Sequence, residues 1–268
     1  MSDPQASAPS RTPLFAAAVA LVVVGGIGAG VYALRGKPEA PATPPGATPA
    51  PGATPPPPAR EPDVSRVKPL PHVDESDPRT RELVGLLSAE PELQKWVATE
   101  GLIRRFTAAV SNIAEGESPR TVLGFMAPQG TFQVTQRDGH TFIAPESFAR
   151  YDAVARVFTS LDPQITANTY KAIKPVADQA FAEIARPGQG LDATLSRAIQ
   201  RMLDTPVPQA DVEVVATQGV NYAYAAPELE QLSAAQKHLL RMGPANARAL
   251  QSKLRELQTA LALPPAKP

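Results

Sequence analysis

No cysteine occurs in the chain, which excludes disulfides, thiolate metal sites, a nucleophilic thiol and lipid attachment at a lipoprotein cysteine, and leaves the redox compartment open. Histidine is scarce. His72, His140 and His238 stand far apart and none belongs to the two-histidine helical pattern of zinc hydrolases, so no metal is expected. An excess of one charge is also lacking: 26 basic side chains balance 26 acidic ones, which disfavours nucleic acid or another polyanion bound by bulk charge. No phosphate-cradling glycine loop with its lysine occurs in the soluble part. The nearest approach to a nucleophile elbow, Gly116-Glu117-Ser118-Pro119-Arg120, lacks the closing glycine and follows a helical pattern, so it reads as a loop. Catalytic residues stay unknown on this reading, and no cofactor is expected.

What the chain does have begins with a long uncharged run. After a short tail, residues 1–12, the stretch from Pro13 to Leu34 carries no charge, and its roughly 22 residues span about 33 Å as a helix, enough to cross a bilayer. Arg11 precedes the run, and Arg35 and Lys37 follow it. A single-pass transmembrane helix over 13–34 is expected. The rival is a cleaved signal peptide with Val31-Tyr32-Ala33 as its cleavage site, but the apolar part of such a peptide measures only about 7–15 residues. The flanking basic residues slightly favour a cytoplasmic C-terminal side, although large domains translocate largely regardless of such charges. Val22-Val23-Val24-Gly25-Gly26-Ile27-Gly28-Ala29-Gly30 resembles the start of a dinucleotide-binding fold, but no βαβ unit follows it. Gly26 and Gly30, four apart on one helix face, permit close helix approach and mark a pairing face for a homodimer.

Residues 35–69 form a Pro/Ala-rich linker with clusters such as Pro44-Pro45 and Pro55-Pro56-Pro57-Pro58. Nearly free of large apolar side chains, this segment has nothing with which to build a core and is expected to be disordered and semi-extended, at about 3.1 Å per residue. A docking site for proline-reading domains is the lesser reading, since the pattern carries no distinctive binding motif.

Residues 70–262 are expected to form a single α+β domain, predominantly α-helical and soluble, with a small β-hairpin or short sheet; residues 263–268 are a Pro-rich tail. Asp77-Pro78 reads as a helix cap with proline at the first helical position, and Pro91 opens a second helix. Ile103, Phe106, Val110 and Ile113 lie on one face of a helix ending near Ala114. Asp138-Gly139 is the tight turn of a hairpin between Thr131–Thr135 and Thr141–Ile143. Helical periodicity runs through Phe148, Tyr151, Ala155, Phe158 and Leu161, and Asp162-Pro163 caps the next helix. Pro175 predicts a kink or break near Lys174, with Gly188 and Gly190 ending that helix. Leu195, Ile199, Met202 and Leu203 mark a further helix, and Val212–Val215 and Val220–Tyr224 two short strands. Pro227 opens another helix, Ser233 caps the one after it, and Gly243-Pro244 turns the chain into a last helix carrying Leu250, Leu254, Leu257 and Leu261.

Chemistry without a motif remains open, because a general acid and a general base need only converge in space. Glu100, Glu115, Glu146, Asp152, Glu228 and Glu230 are the carboxylate candidates, with exposed helix surfaces as their ordinary role. A second constellation borders the apolar stripes: Arg104, Arg105, Arg150, Tyr151, Lys174, Asn221, Tyr222, Lys237, Arg241 and Asn246. Guanidinium forks and phenols so placed either line a groove for a carboxylate, glycan or peptide, or satisfy buried carbonyls and pair with Glu230 or Asp152.

Leu102-Ile103-Arg104-Arg105-Phe106, Asn112-Ile113-Ala114-Glu115-Gly116, Arg150-Tyr151-Asp152, Tyr170 with Lys174-Pro175, Leu229-Glu230 and the block from Gln236 to Asn246 together resemble an uncharacterised bacterial family, domain of unknown function 3014. Ser111 departs from the aspartate associated with the position before Asn112, which weakens any carboxylate role there. The resemblance brings no activity and no catalytic residue. It implies a bacterial inner-membrane protein of single pass whose C-terminal domain is periplasmic. The expected role is a binding or scaffolding domain for an envelope protein, peptide or wall component, and the alternative is a cell-envelope hydrolase with a motif-free carboxylate/arginine site.

Overall fold

The computed structural model describes residues 71–218 and 221–266. The uncharged run, its Gly26 and Gly30 face and the proline-rich linker lie outside these residues. Among the described residues no helix is long and apolar enough to cross a membrane. The architecture is α+β and mostly helical: ten helices and two antiparallel hairpins among the described residues.

A 3-10 turn, Val73–Glu75, leads into α1 (Asp77–Gly85), α2 (Pro91–Val97) and α3 (Leu102–Ala114). Proline stands in the first turn of α1 and of α2, where its missing N–H costs nothing. Asp77 does not cap its own helix: Ser76 holds the N-cap position, and the Asp77 carboxylate accepts from the backbone N–H of Gly101 and of Leu102, the latter at 3.0 Å. It thus supplies acceptors to the orphan donors at the start of α3, across more than twenty residues of chain.

Short 3-10 turns at Pro119–Thr121 and Gly124–Met126 lead to β1 (Val134–Arg137) and β2 (His140–Ile143), paired from Val134 opposite Ile143 to Arg137 opposite His140. Asp138 (φ 52°) and Gly139 (φ 80°) both take the positive φ that this tight turn demands. The long helical periodicity that follows divides in two, α4 (Pro145–Ala149) and α5 (Asp152–Thr159), with Arg150 and Tyr151 at the joint.

α6 (Pro163–Ala182) is capped by Asp162, whose side chain accepts from the Ile165 N–H at 2.7 Å. The break expected near Lys174 is absent: the helix runs through Pro175 without interruption and ends at Ala182, before Gly188. Ile173, Val176 and Ala177 around the proline are buried, while Pro175 and Lys171, whose carbonyl loses its donor, are exposed, so water can replace the missing bond. Packing outweighs the local penalty.

α7 (Leu191–Leu203) precedes β3 (Val214–Ala216) and β4 (Tyr222–Tyr224), which pair from Val214 opposite Tyr224 to Ala216 opposite Tyr222. A bridge between Phe142 and Glu213, with Ile143 N–H donating to Val212 O at 2.9 Å, joins the two hairpins. α8 (Pro227–Glu230) and α9 (Ala234–Leu240) follow, the latter closed by a reciprocal capping box of Ser233 and Gln236. The corner to α10 (Pro244–Leu261) is made by Gly243 at φ 84° and ψ 160°, a region essentially restricted to glycine. A Cβ at Gly243 would also lie 2.5 Å from the Phe148 ring, so the close approach of this corner to α4 needs hydrogen at that position.

The main core gathers α1–α3, α5–α7, α9 and α10, with α3 seated on α6 and α7 and α10 on α5 and α6. Leu250, Leu254, Leu257 and Leu261 form the buried stripe of α10 at the expected spacing. A smaller apolar cluster of Ile143, Val212, Val214, Tyr224, Leu229 and Leu240 lies beneath the hairpins.

Candidate functional site

The polar constellation read from sequence separates into two regions. In the first, carboxylates surround the cations. Arg104 on α3 forks onto Glu183, with both bonds at 2.7 Å, and reaches Asp74 at 2.8 Å. The bond to Glu183, then that to Asp74, raises the guanidinium pKa, and Arg104 in turn holds both carboxyls below their ordinary values. Lys174 on α6 meets Asp178 at 2.8 Å and Asp192 at 3.3 Å. Burial alone would lower its pKa, but the Asp178 hydrogen bond and the two negative charges win and raise it. The Tyr170 hydroxyl donates to Asp192 at 2.5 Å, and burial together with that carboxylate drives the phenol well above its usual range. Arg105 is structural in another way: it donates to the carbonyls of Glu100 (2.8 Å) and Val122 (3.0 Å) and lies over Phe125.

In the second region arginines face phenols, carbonyls and a neutral imidazole. Arg150, the C-cap of α4, donates to Ser147 O at 3.1 Å and Gly130 O at 3.2 Å, and its guanidinium lies 5.7 Å from the centre of the Tyr151 ring and 5.9 Å from that of Phe132. Tyr151 is 1% exposed. Burial raises its phenol pKa, and the opposing charges come from Arg150, Arg241 and Arg120. His238, 2% exposed on α9, shares a 3.0 Å hydrogen bond between Nδ1 and Ser118 Oγ, while Nε2 has no partner. Burial, reinforced by Arg241 and Arg120, lowers its pKa to about 3, so the ring is neutral at physiological pH. Tyr224 is pushed up to about 12, chiefly by burial and against the charge of Arg241. Lys237 donates to both Glu230 O and Glu230 Oε1 at 2.6 Å, and Glu230 Oε2 accepts from the Tyr224 N–H. The Lys237 bond, then the Tyr224 N–H, holds the Glu230 carboxyl below its ordinary value.

Arg150 and Tyr151 are in contact and the charge of Arg241 is felt by the same phenol, whereas Arg104, Arg105 and Lys174 belong elsewhere. Asn246 donates to Asp152 at 2.9 Å and to Met242 O. Tyr222, 40% exposed, lies 5.7 Å from Phe132, and Asn221 contributes its carbonyl to Thr217. Sequence reasoning missed Ser118, Arg120, Tyr224 and His238 as neighbours of this cluster; Ser118 and His238 meet across 120 positions with no local signal.

Ser118 and His238 have the contact of a nucleophile and its base but not the chemistry. An imidazole with a pKa near 3 is a poor proton acceptor at neutral pH, and among the described residues no carboxylate orients it through Nε2. Ser118 precedes a 3-10 turn, consistent with a loop rather than an elbow. Among the described residues no group of three His, Asp or Glu is placed to hold a metal. Two of the cavities bordered by described residues are of note. One, of about 50 Å³, is apolar, with Trp96, Phe106, Phe125 and Met126 in its wall and Thr80 Oγ1 unpartnered. The other, of about 390 Å³, is bordered by Arg197, Arg201, Asp204 and Gln236, with a single carboxylate among its lining residues.

No curated protein and no solved structure matches the chain. A family model described as "Protein of unknown function (DUF3014)" matches residues 102–258, a span holding α3 through most of α10, and the chain belongs to that family.

Proposed function

We propose that this chain is a single-pass bacterial inner-membrane protein that holds a periplasmic binding or scaffolding domain at the end of a proline-rich spacer. The uncharged run Pro13–Leu34 and the linker 35–69 support the anchor and the reach. The observation that supports the binding role is the joint of α4 and α5, where Arg150 lies 5.7 Å from the centre of the Tyr151 ring and the charge of Arg241 is felt by the same phenol. The hydrolase alternative needs two carboxylates facing one cavity. Of its candidates Glu230 is bound to Lys237, Asp152 to Asn246, and Glu115 lies 3.8 Å from Arg186 and from Arg197, while Glu100, Glu146 and Glu228 are exposed.

Reporter fusions after Pro268 test the topology: activity confined to the periplasm is expected, and activity confined to the cytoplasm overturns the envelope role. Crosslinking of tagged full-length protein in living cells should capture a reproducible envelope partner; recovery of none, with no binding to envelope extract, removes the binding role. Pairing through Gly26 and Gly30 predicts that replacing both with leucine lowers the oligomeric state in the membrane.

A further inference from the structure

We infer that the apolar cavity bordered by α1, α2, α3 and the turn Gly124–Met126 is a binding site for a short aliphatic group of about four carbons carried next to a carboxylate. A small branched-chain carboxylate and the leucine-ended terminus of a peptide share that chemistry. The cavity has no lining residue in common with the Arg150 and Tyr151 joint, so the inference goes beyond the role proposed above. Its floor is buried and includes Thr80, Ile103 and Phe106. Trp96, Arg105 and Phe125 are half-buried lining residues and form the rim. The rim is held in place by Arg105, which donates through Nε to Glu100 O at 2.8 Å and through Nη1 to Val122 O at 3.0 Å. These two bonds tie the loop before α3 to the segment after Pro119–Thr121, and the guanidinium lies 5.8 Å from the centre of the Phe125 ring.

Size and polarity select the occupant. The cavity measures about 50 Å³, and a water needs about 10–15 Å³ on the same measure, so the space fits about four non-hydrogen atoms. A benzene-sized ring needs about 150 Å³ and is too large, as is a long acyl chain. Water is a poor occupant as well. A buried water is held by two to four polar partners, whereas Thr80 is the one buried lining residue with a polar side chain, its hydroxyl unpartnered. A small apolar group is the better match for such walls. Arg105 adds the second half of the specificity. Its Nε and Nη1 are taken by carbonyls, which orient the guanidinium without cancelling its charge, and among the described residues Nη2 donates to no group and no carboxylate pairs with this arginine. An oriented guanidinium at the rim of an apolar cavity complements a carboxylate whose aliphatic neighbour enters the floor.

Trp96 is the one tryptophan of the chain and stands at the rim, so its fluorescence reports on the site. Purified full-length protein in phosphatidylcholine vesicles is titrated with isocaproate in one arm and acetyl-glycyl-leucine in the other, each against its own amide. A saturable change is expected in at least one arm, with the amide about tenfold weaker, and the tighter arm tells a free small carboxylate from a peptide terminus. Adamantane carboxylate, which carries the charge on a group too bulky for the cavity, should not compete. Val84→Ile fills part of the cavity and should weaken binding about fivefold without lowering the urea midpoint. No saturation in either arm, equal affinity for acid and amide, competition by adamantane carboxylate, or undiminished binding by folded Val84→Ile overturns the site. The acid and amide comparison needs no variant and so stands even where a substitution disturbs folding. Because the readout requires neither a topology nor a partner, failure here leaves the envelope role as it was.

Discussion

Arg104 and Arg241 both border an apolar helix face, yet Arg104 is hydrogen-bonded to a carboxylate and ion-paired with a second, while the Arg241 side chain has no such bond among the described residues. Arg104 has Glu183 and Asp74; Arg241 has Tyr151, Tyr224 and His238 nearby and Arg120 for company. The first region resolves its charge within the fold and rigidifies the contact of α3 with the segment after α6. In the second, the Arg241 side chain has no hydrogen-bond or ion-pair partner among the described residues. What gives an arginine its partners is thus the distant chain that folds against it, not its own helix.

The largest expected effect comes from breaking the scaffold of the second region alone. Gly243→Ala places a methyl group where φ disfavours it and where the Phe148 ring already lies, and should cost about 2–4 kcal/mol in urea denaturation. A stability equal to wild type would show that the corner does not hold α9 against α4. Next comes acid sensitivity. The fold favours neutral His238 while the unfolded chain binds a proton near pH 6.5, so this contribution is complete above that pH and is lost as pH falls toward about 3. Wild type should therefore lose up to about 1.4 kcal/mol per pH unit more than His238→Gln within that window. Parallel pH profiles would mean that the ring is not held neutral.

Asp77→Ala probes the other side of the comparison by removing both acceptors from the start of α3, and about 1 kcal/mol should be lost. The smallest effects differ in their response to salt. Arg104→Gln should leave the denaturation midpoint nearly unchanged, with any loss shrinking at high salt, because its carboxylates are solvent-exposed. Arg241→Gln should also leave the midpoint nearly unchanged, but with little response to salt, since among the described residues Arg241 forms no ion pair. Identical salt responses in the two variants would collapse the distinction between the regions.

Local patterns carried much of the fold. Periodicity located α3 and α10, Asp138-Gly139 located the hairpin turn, and Ser233 with Gln236 forms the cap its position suggested. Pro175 misled because its penalty is local while the compensation from Ile173, Val176 and Ala177 is tertiary. Asp77 misled for a related reason: a carboxylate before proline suits a cap, but its acceptors went to a neighbouring helix. The grouping of the polar residues was not legible. Arg150, Tyr151 and Arg241 stood out as polar residues beside apolar stripes, but so did Arg104 and Lys174, and nothing near them in the chain announces Glu183 or Asp192. His238 and Ser118 meet only through the fold.

The Asp77 clasp also has a mechanical meaning. Tension drawn along the chain toward the N-terminal side of residue 71 meets Asp74 on Arg104 first and the Asp77 bonds to α3 next. These contacts sit in series at the leading edge, so α1 peels away before the load reaches the segments 118–151 and 238–241. Beyond those contacts stand Leu83 and Val84 of α1, buried in the main core, so these polar ties are an outer clasp on a helix that is also held by packing.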